Sequence, residues 1–473
     1  MPESAPLQTG GAQDILIMLK LKRAILTDMT EGRPAPLLLR FMIPMLIGNI
    51  FQQLYSMADT MIVGKTLGSD ALAAVGATGS LNFLFFSLCN GLASGLGILV
   101  SQAFGAGQVN NVKKLIANSV YIMLSSAVVM GSLGFVLSRP VLQLLGTPAN
   151  IIDRSTTYMQ VSCAGLIAVS MYNCVAAILR GVGDSKTPLY FLVLACVINV
   201  FLDLFFIKSL GLGVGGAALA TILSQMLSAA GSILYAVKYN PMFYLERAYW
   251  RPDRALMVKA CRLGLPLAAQ SSLIALSLVV LQTVVNGFGS QVGAAFTATS
   301  RIEVLVQQPY GSLFAALSTF TGQNIGAGRL ERVKLGFKHA TFIMIGFTAL
   351  VVPLFQLFSP AIVGIFVDAE EGARVIEYGA TGLRMTSLFF LPLGMIYMCR
   401  GVLNGSGDGY YSLLSGICEM VGRVGFAKPL TLLPQVGKWG IWLGTALTWT
   451  LVAVASFIRY ARGKWKKAAL GNS

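Results

Sequence analysis

The chain has 473 residues, of which 55% are hydrophobic and only 11% charged, and its net charge is +16. A soluble domain usually carries about 25% charged residues, so this composition excludes an ordinary soluble protein of this size. The basic residues lie in short segments between apolar runs, as they do in membrane proteins, and the positive charge therefore does not indicate nucleic-acid binding.

The chain begins with a predicted cytoplasmic tail, residues 1–37, because Lys20 and Lys22 interrupt its only apolar stretch and no signal cleavage site follows. Twelve apolar runs come next, and a run of about 20 residues is long enough to cross a bilayer as a helix. Their predicted limits are 38–63, 71–103, 114–138, 156–179, 187–207, 214–237, 256–286, 293–320, 335–358, 376–400, 410–433 and 439–459. A cytoplasmic linker is predicted at 240–255 and a basic cytoplasmic tail at 461–473.

The distribution of Lys and Arg predicts the orientation of these spans. If the N-terminus is cytoplasmic, 25 of the 35 basic residues fall on the cytoplasmic side, 6 on the outer side and 4 within spans. Because cytoplasmic loops carry an excess of Lys and Arg, we expect both termini on the cytoplasmic side of a prokaryotic inner membrane.

The two halves of the chain repeat each other. A Gln-x-x-Gly-Ala-Gly motif at Gln102 recurs at Gln323, and a Gly-x-Gly-Asp motif at Gly181 recurs at Gly405, in the same order and with nearly the same offset. Each half holds six spans, so both copies have the same orientation in the membrane. The sequence therefore predicts an all-α membrane protein with two six-helix lobes, 38–239 and 256–460. They would be related by a pseudo-two-fold axis along the membrane normal.

The first half carries polar side chains inside its spans, where they are costly and indicate function. Asp59 and Asp203 fall at a similar depth, and residues three or four apart share one helix face. Two carboxylates with neutral oxygens beside them predict a cation site, and neighbouring buried carboxylates also take up protons readily. The alternative is that each polar group only bonds to a neighbouring helix. The full set is Pro44, Gln52, Tyr55, Asp59, Asn173, Asn199, Asp203 and Thr221.

The second half has a different set of polar residues. Glu419 and Arg423 lie four residues apart in the eleventh span and are expected to pair, mainly as a structural contact. Glu303, beside Arg301 in the eighth span, is open to either interpretation. The cysteines lie mostly inside spans without a Cys-x-x-Cys pair, and no catalytic motif is visible, so the sequence predicts neither a metal centre nor an enzyme.

Three sequence stretches together resemble the multidrug and toxic compound extrusion (MATE) family over residues 38–460. They are Met57-Ala-Asp-Thr-Met-Ile-Val-Gly, Gly181-Val-Gly-Asp and Gly211-Leu-Gly-Val-Gly-Gly-Ala-Ala-Leu-Ala-Thr. The family exports organic cations and other amphipathic compounds in exchange for H+ or Na+. The resemblance therefore implies an antiporter that works by alternating access, as a monomer in the lipid bilayer, with no cofactor beyond the coupling ion.

The resemblance also implies roles for particular residues. Asp59, Asn199, Asp203 and Thr221 match the cation-coupling residues of the prokaryotic branch related to DinF, with Na+ at Asp59 and Asp203 as the only metal to be expected. Four further residues match positions that line the same lobe, namely Pro44, Gln52, Tyr55 and Asn173. Another branch uses a Glu in the seventh span and an Asp in the tenth, and this chain has neither.

Two other functions remain open from the sequence. A lipid-linked saccharide flippase of the same superfamily would need basic residues in its cavity, and Arg423 keeps that alternative open. A receptor or scaffold that transports nothing is less consistent with two repeated lobes that can move against each other.

Overall fold

The computed structural model describes residues 27–367 and 372–466, which fold almost entirely into helices. The predicted N-terminal tail up to residue 26 and the basic tail from residue 467 lie outside the described residues. The first half contains α1 Pro34–Leu67, α2 Ser69–Gly105, α3 Val109–Leu144, α4 Ile152–Ala164, α5 Leu166–Gly181, α6 Lys186–Asp203 and α7 Gly213–Tyr239. A π-helix, Leu204–Ser209, continues α6.

Short 3-10 turns, Pro241–Phe243 and Arg247–Trp250, connect the two halves, and a third, Gly437–Trp439, precedes the last helix. The second half contains α8 Arg254–Asn286, α9 Ser290–Gly326, α10 Leu330–Gly364, α11 Ala373–Ser387, α12 Phe390–Gly405, α13 Gly409–Leu432 and α14 Gly440–Ala461. Each of the twelve predicted spans corresponds to one helix or to one bent pair, which confirms the predicted fold class.

Two spans are bent where the sequence predicts straight helices. The fourth consists of α4 and α5, which meet at 48°, and the tenth consists of α11 and α12, which meet at 52°. Eight further helices are individually long and apolar enough to cross a membrane. The remaining two, α9 and α13, carry more polar residues, many of which are buried in the bundle. The bent spans thus occupy equivalent positions in the two halves, each being the fourth span of its lobe.

The Gly-x-Gly-Asp motifs form turns that start the following helices. Gly183 and Gly407 adopt positive φ angles of 93° and 86°, which glycine tolerates without strain. Asp184 Oδ1 accepts the backbone N–H of Thr187 at 3.0 Å, and Asp408 Oδ1 accepts that of Tyr411 at 3.1 Å. These bonds satisfy N–H groups that a helix start leaves free.

The two lobes meet at the end of the bundle where the described chain begins and ends, which we call the terminal face. Gln102 Nε2 of α2 donates to the Gly405 carbonyl in the other lobe at 3.0 Å. Its repeat partner Gln323 Nε2 of α9 donates to the Gly181 carbonyl, also at 3.0 Å. Because the donors are repeat partners and the acceptors are repeat partners, the two hydrogen bonds are related by the two-fold symmetry of the lobes.

Helices α2 and α9 cross closely at this face because glycines leave room. A Cβ atom on Gly105 would overlap the backbone carbonyl of Gln323, and one on Gly326 would overlap that of Gln102. The repeated Gly-Ala-Gly motif therefore allows close approach of the two lobes, in addition to forming a turn.

The last residues of the predicted N-terminal tail pack against the terminal face. The Met29 side chain is fully buried, and its N–H donates to Gln323 Oε1 at 2.9 Å. Asn324 Nδ2 donates to the Met29 carbonyl at 3.0 Å, and the Thr27 N–H donates to the Gly183 carbonyl at 3.0 Å. Residues 27–33 thus bridge the two lobes, whereas the sequence predicted only a tail.

Contact between the lobes extends from the terminal face to the middle of the bundle. Ser87 and Ser272 hydroxyls are 2.7 Å apart, and Asn49 Nδ2 donates to Ser312 Oγ at 3.2 Å. Within the described ranges, no hydrogen bond joins the lobes between these positions and the opposite end. The hydrogen bonds between the lobes in the described ranges therefore lie in the part of the bundle next to the terminal face.

Candidate functional site

Two carboxylates meet inside the first lobe. Asp59 lies in the second half of α1, and Asp203 is the last residue of α6, where the chain passes into the π-helix. Their side chains lie within hydrogen-bonding reach of each other, and Asp203 is fully buried. Single π-helical turns occur often at functional sites, and this one follows directly after a buried acid.

Three neighbouring residues hold this acid pair. Asn199, with its amide oriented to satisfy both neighbours, donates to Asp203 Oδ2 at 3.1 Å and accepts the Thr221 N–H at 3.3 Å. Tyr55 lies close to Thr221 and to both carboxylates. The structure thus brings Asp59, Asn199, Asp203 and Thr221 together, and their role in cation coupling stays a prediction.

The acid pair is incompletely satisfied. Asp59 Oδ1 and Asp203 Oδ1 are both buried and have no hydrogen-bond partner among the described residues. Buried polar atoms are normally hydrogen-bonded, and two adjacent carboxylates repel each other unless a cation lies between them. The geometry can therefore hold a proton or a small cation.

A cavity of about 460 Å³ lies beside the acid pair within the first lobe. Gln52, Tyr55, Asn173 and Thr221 line it. Pro44 does not line this cavity and is buried in the first half of α1. Tyr55 and Tyr158 line the cavity and lie close to the carboxylates.

The second lobe contains an ion cluster where the sequence predicted one pair. Glu419 accepts from Arg423 at 3.0 Å, the expected contact, and also from Arg400 at 2.8 Å. Arg423 also donates to Ser277 Oγ at 2.8 Å. Glu303 and Thr386 line the same cavity, and Glu303 Oε1 has no partner within the described part of the chain.

Two arginines that the sequence analysis counted on the cytoplasmic side line the cavity between the lobes. This central cavity has a volume of about 270 Å³, and both Arg180 of α5 and Arg400 of α12 contribute to its walls. The signal that could have identified Arg400 was the repeat, because an offset of 224 pairs it with Ala176, well inside the fourth span. The prediction ended the fourth and tenth spans too early.

The three cavities share walls. Arg180 lines both the cavity of the first lobe and the central cavity, and Arg400 lines both the central cavity and a third cavity of about 230 Å³ in the second lobe. Glu303, Glu419 and Arg423 line this third cavity. Each arginine therefore lies between the cavity of its own lobe and the central cavity.

Two six-helix lobes around a central cavity define a multi-pass membrane transporter. The chain belongs to the MatE family, whose model matches residues 44–205 and again residues 266–427, once in each half. This confirms the predicted family and the duplication, and it identifies the protein as a transporter and not an enzyme. Membership of the branch related to DinF stays a prediction.

Several known proteins are similar along nearly the whole chain. The probable multidrug resistance protein YpnP of Bacillus subtilis is 27% identical over 446 residues, 94% of this chain and 98% of the relative. A FAD transporter of Shewanella oneidensis is 26% identical, over 89% of this chain and 93% of the relative. A solved MOP superfamily transporter of Pyrococcus furiosus, described as having a binding pocket of reverse polarity, is 26% identical. It has a TM-score of 0.86 over 93% of this chain and 98% of that one.

Proposed function

We propose that the protein is a secondary active transporter that exports amphipathic small molecules in exchange for protons, with Asp59 and Asp203 as the coupling site. The observation that carries this proposal is the pair of neighbouring carboxylates, each with one buried oxygen that has no partner among the described residues. A proton taken up from one side of the membrane and released to the other would change the charge of this pair.

The surrounding contacts favour a proton over Na+. With its amide oriented to satisfy both neighbours, Asn199 gives its N–H to Asp203 and its carbonyl oxygen to the Thr221 N–H, which leaves the two carboxylates as the main oxygens of the site. Two adjacent carboxyl oxygens can share one proton without further ligands. Hard metal cations, by comparison, require several oxygens arranged around them.

Alternating access supplies the movement that transport requires. We propose that the present arrangement, closed at the terminal face, is the outward-facing state, with both termini in the cytoplasm of a prokaryotic cell. The proposed unit is the monomer, because the two repeated lobes of one chain supply the two halves that alternating access requires. The names of the relatives include both multidrug resistance proteins and a FAD transporter, and they leave the substrate class open.

Purified protein in liposomes tests the coupling ion. A pH gradient and a Na+ gradient are imposed separately, and the release of protons into the lumen is followed with a pH dye while a transported dye moves the opposite way. We expect the pH gradient alone to drive the dye against its own concentration gradient. Movement with the Na+ gradient alone would contradict the assignment of the proton.

A further inference from the structure

Arg180 is a cation on the cavity walls with no counter-ion in the described part of the chain. It lines both the cavity of the first lobe and the central cavity, and it makes no ion pair or hydrogen bond with any other residue in the described ranges. A charged side chain inside a membrane protein normally pairs with another group or serves transport. The N–H donors of the Arg180 guanidinium are therefore available to a ligand in these cavities.

Two further donors point to the same central cavity. Gln270 is 5% exposed, lines the cavity, and its Nε2 has no hydrogen-bond partner among the described residues. Arg400 uses Nε and Nη2 in bonds to Ser415 and Glu419, and no partner of its Nη1 lies in the described chain. A buried amide N–H without a partner is costly, and a bound acceptor would satisfy it.

The rest of the central cavity fits the same ligand. No Asp or Glu of the described ranges lines it, and its other polar walls are hydroxyl and amide groups. Its apolar wall includes Leu267, Ile274 and Phe314. Two guanidinium groups disfavour a cationic ligand, contrary to the organic cations that the resemblance implied.

We propose that the central cavity binds an anionic oxygen group of the transported molecule, a phosphate, sulfonate or carboxylate, between Arg180 and Arg400, with Gln270 as a further donor. Guanidinium groups match the geometry of these anions and bind them through paired N–H donors. The apolar wall takes the hydrophobic part of the same molecule. The substrate class is thus an amphipathic organic anion, and this assignment rests on the proposed transport function.

The same chemistry can come from a soluble compound or from a lipid head group. A lipid-linked substrate would be that of a flippase, the alternative that the sequence left open, and the arginines are the basic residues such a substrate needs. The two sources share the anionic group and differ in the apolar part, so competition between two phosphates distinguishes them.

The test measures equilibrium binding to purified protein in detergent, without any gradient. The probes are two naphthalene dyes that share one ring system, one with a sulfonate and one with a trimethylammonium group. We expect the sulfonate to bind at least about tenfold more tightly than the cation, the effect of one charge-assisted hydrogen bond or more. Arg180→Gln should weaken sulfonate binding about tenfold, and Arg180→Lys, which keeps the charge, should weaken it less.

Arg139→Gln is the matched control, because it removes the same charge from an exposed ion pair with Asp153. It should leave both affinities unchanged. Equal binding of the two dyes to the wild-type protein, or an Arg180→Gln variant within about twofold of wild type for the sulfonate, would overturn the proposal.

Naphthyl phosphate and a short-chain phosphatidic acid are then used as competitors of the sulfonate dye. Displacement by the first at lower concentration identifies a soluble anion, displacement by the second identifies a lipid head group, and displacement by neither overturns the proposal. This binding assay needs no gradient, so it is independent of the transport assay in liposomes. If the protein binds the sulfonate dye but does not couple transport to protons, the proposed transport mechanism is contradicted and the anion site is not.

Discussion

At the scale of single residues, Glu419 has the strongest predicted effect on stability. Its carboxylate accepts from both Arg400 and Arg423, and all three side chains are largely buried. Removing one partner of a buried ion pair leaves uncompensated charge and costs about 3 kcal/mol or more. We expect Glu419→Gln to lower the thermal unfolding temperature of the detergent-solubilised protein by several degrees.

Glu303→Gln is the matched comparison for this prediction. Glu303 is a buried acid that lines the same cavity, but it has no ion-pair partner in the described chain. Its substitution should change stability by less than about 1 kcal/mol, since no charge is left unpaired. Equal unfolding temperatures for the two variants would show that the Glu419 cluster is not stabilising.

Helical spacing could predict which residues of one helix lie side by side. The four-residue step from Asn199 to Asp203 placed both on one face, and they share a hydrogen bond when the Asn199 amide is oriented to satisfy its neighbours. Spacing within one helix could not show that Arg180 and Arg400, on helices from different lobes, line one cavity. Their position at the ends of apolar runs made them indistinguishable from loop residues.

At the scale of helices, the crossing of α2 and α9 explains why the lobes close at the terminal face. Gly105 lies against the Gln323 backbone, where a larger side chain has no room. Gly105→Val should therefore hold the terminal face apart. Gly79→Val, on the same helix but with open space around it, should not.

The separation is measured by electron–electron resonance between spin labels at Asn111 and Glu331, exposed positions near the terminal face in different lobes. The labels are attached to a variant whose native cysteines are replaced by serine. We expect a longer and broader distance distribution for Gly105→Val than for Gly79→Val. Identical distributions would contradict the closure role of the Gly-Ala-Gly motif.

The number and order of the helices followed from hydropathy alone, because each apolar run must satisfy its backbone inside the bilayer. The bends did not. The breaks at Gly165 and at residues 388–389 each separate a polar first helix from an apolar second one, and the total length of each pair suited a single span. The π-helix after Asp203 was equally invisible, since its residues continue the apolar pattern of α6.

At the scale of the whole molecule, the charge distribution predicts a topology with both termini in the cytoplasm. Single cysteines at Asn111, near the terminal face, and at Asn150, in the turn between α3 and α4, test it. In intact cells, a membrane-impermeant maleimide should label the Asn150→Cys variant and leave the Asn111→Cys variant unlabelled. The reverse pattern would invert the proposed orientation.

The most direct test of the central claim is proton-driven transport by a variant that lacks both carboxylates. Liposomes with wild-type protein should accumulate a transported dye when only a pH gradient is imposed. The Asp59→Asn, Asp203→Asn double variant should fold and still equilibrate the dye downhill, but it should lose accumulation completely. Asp153→Asn, at an exposed surface acid, should behave as wild type. Wild-type accumulation by the double variant would contradict the account, because the proton would then be coupled elsewhere.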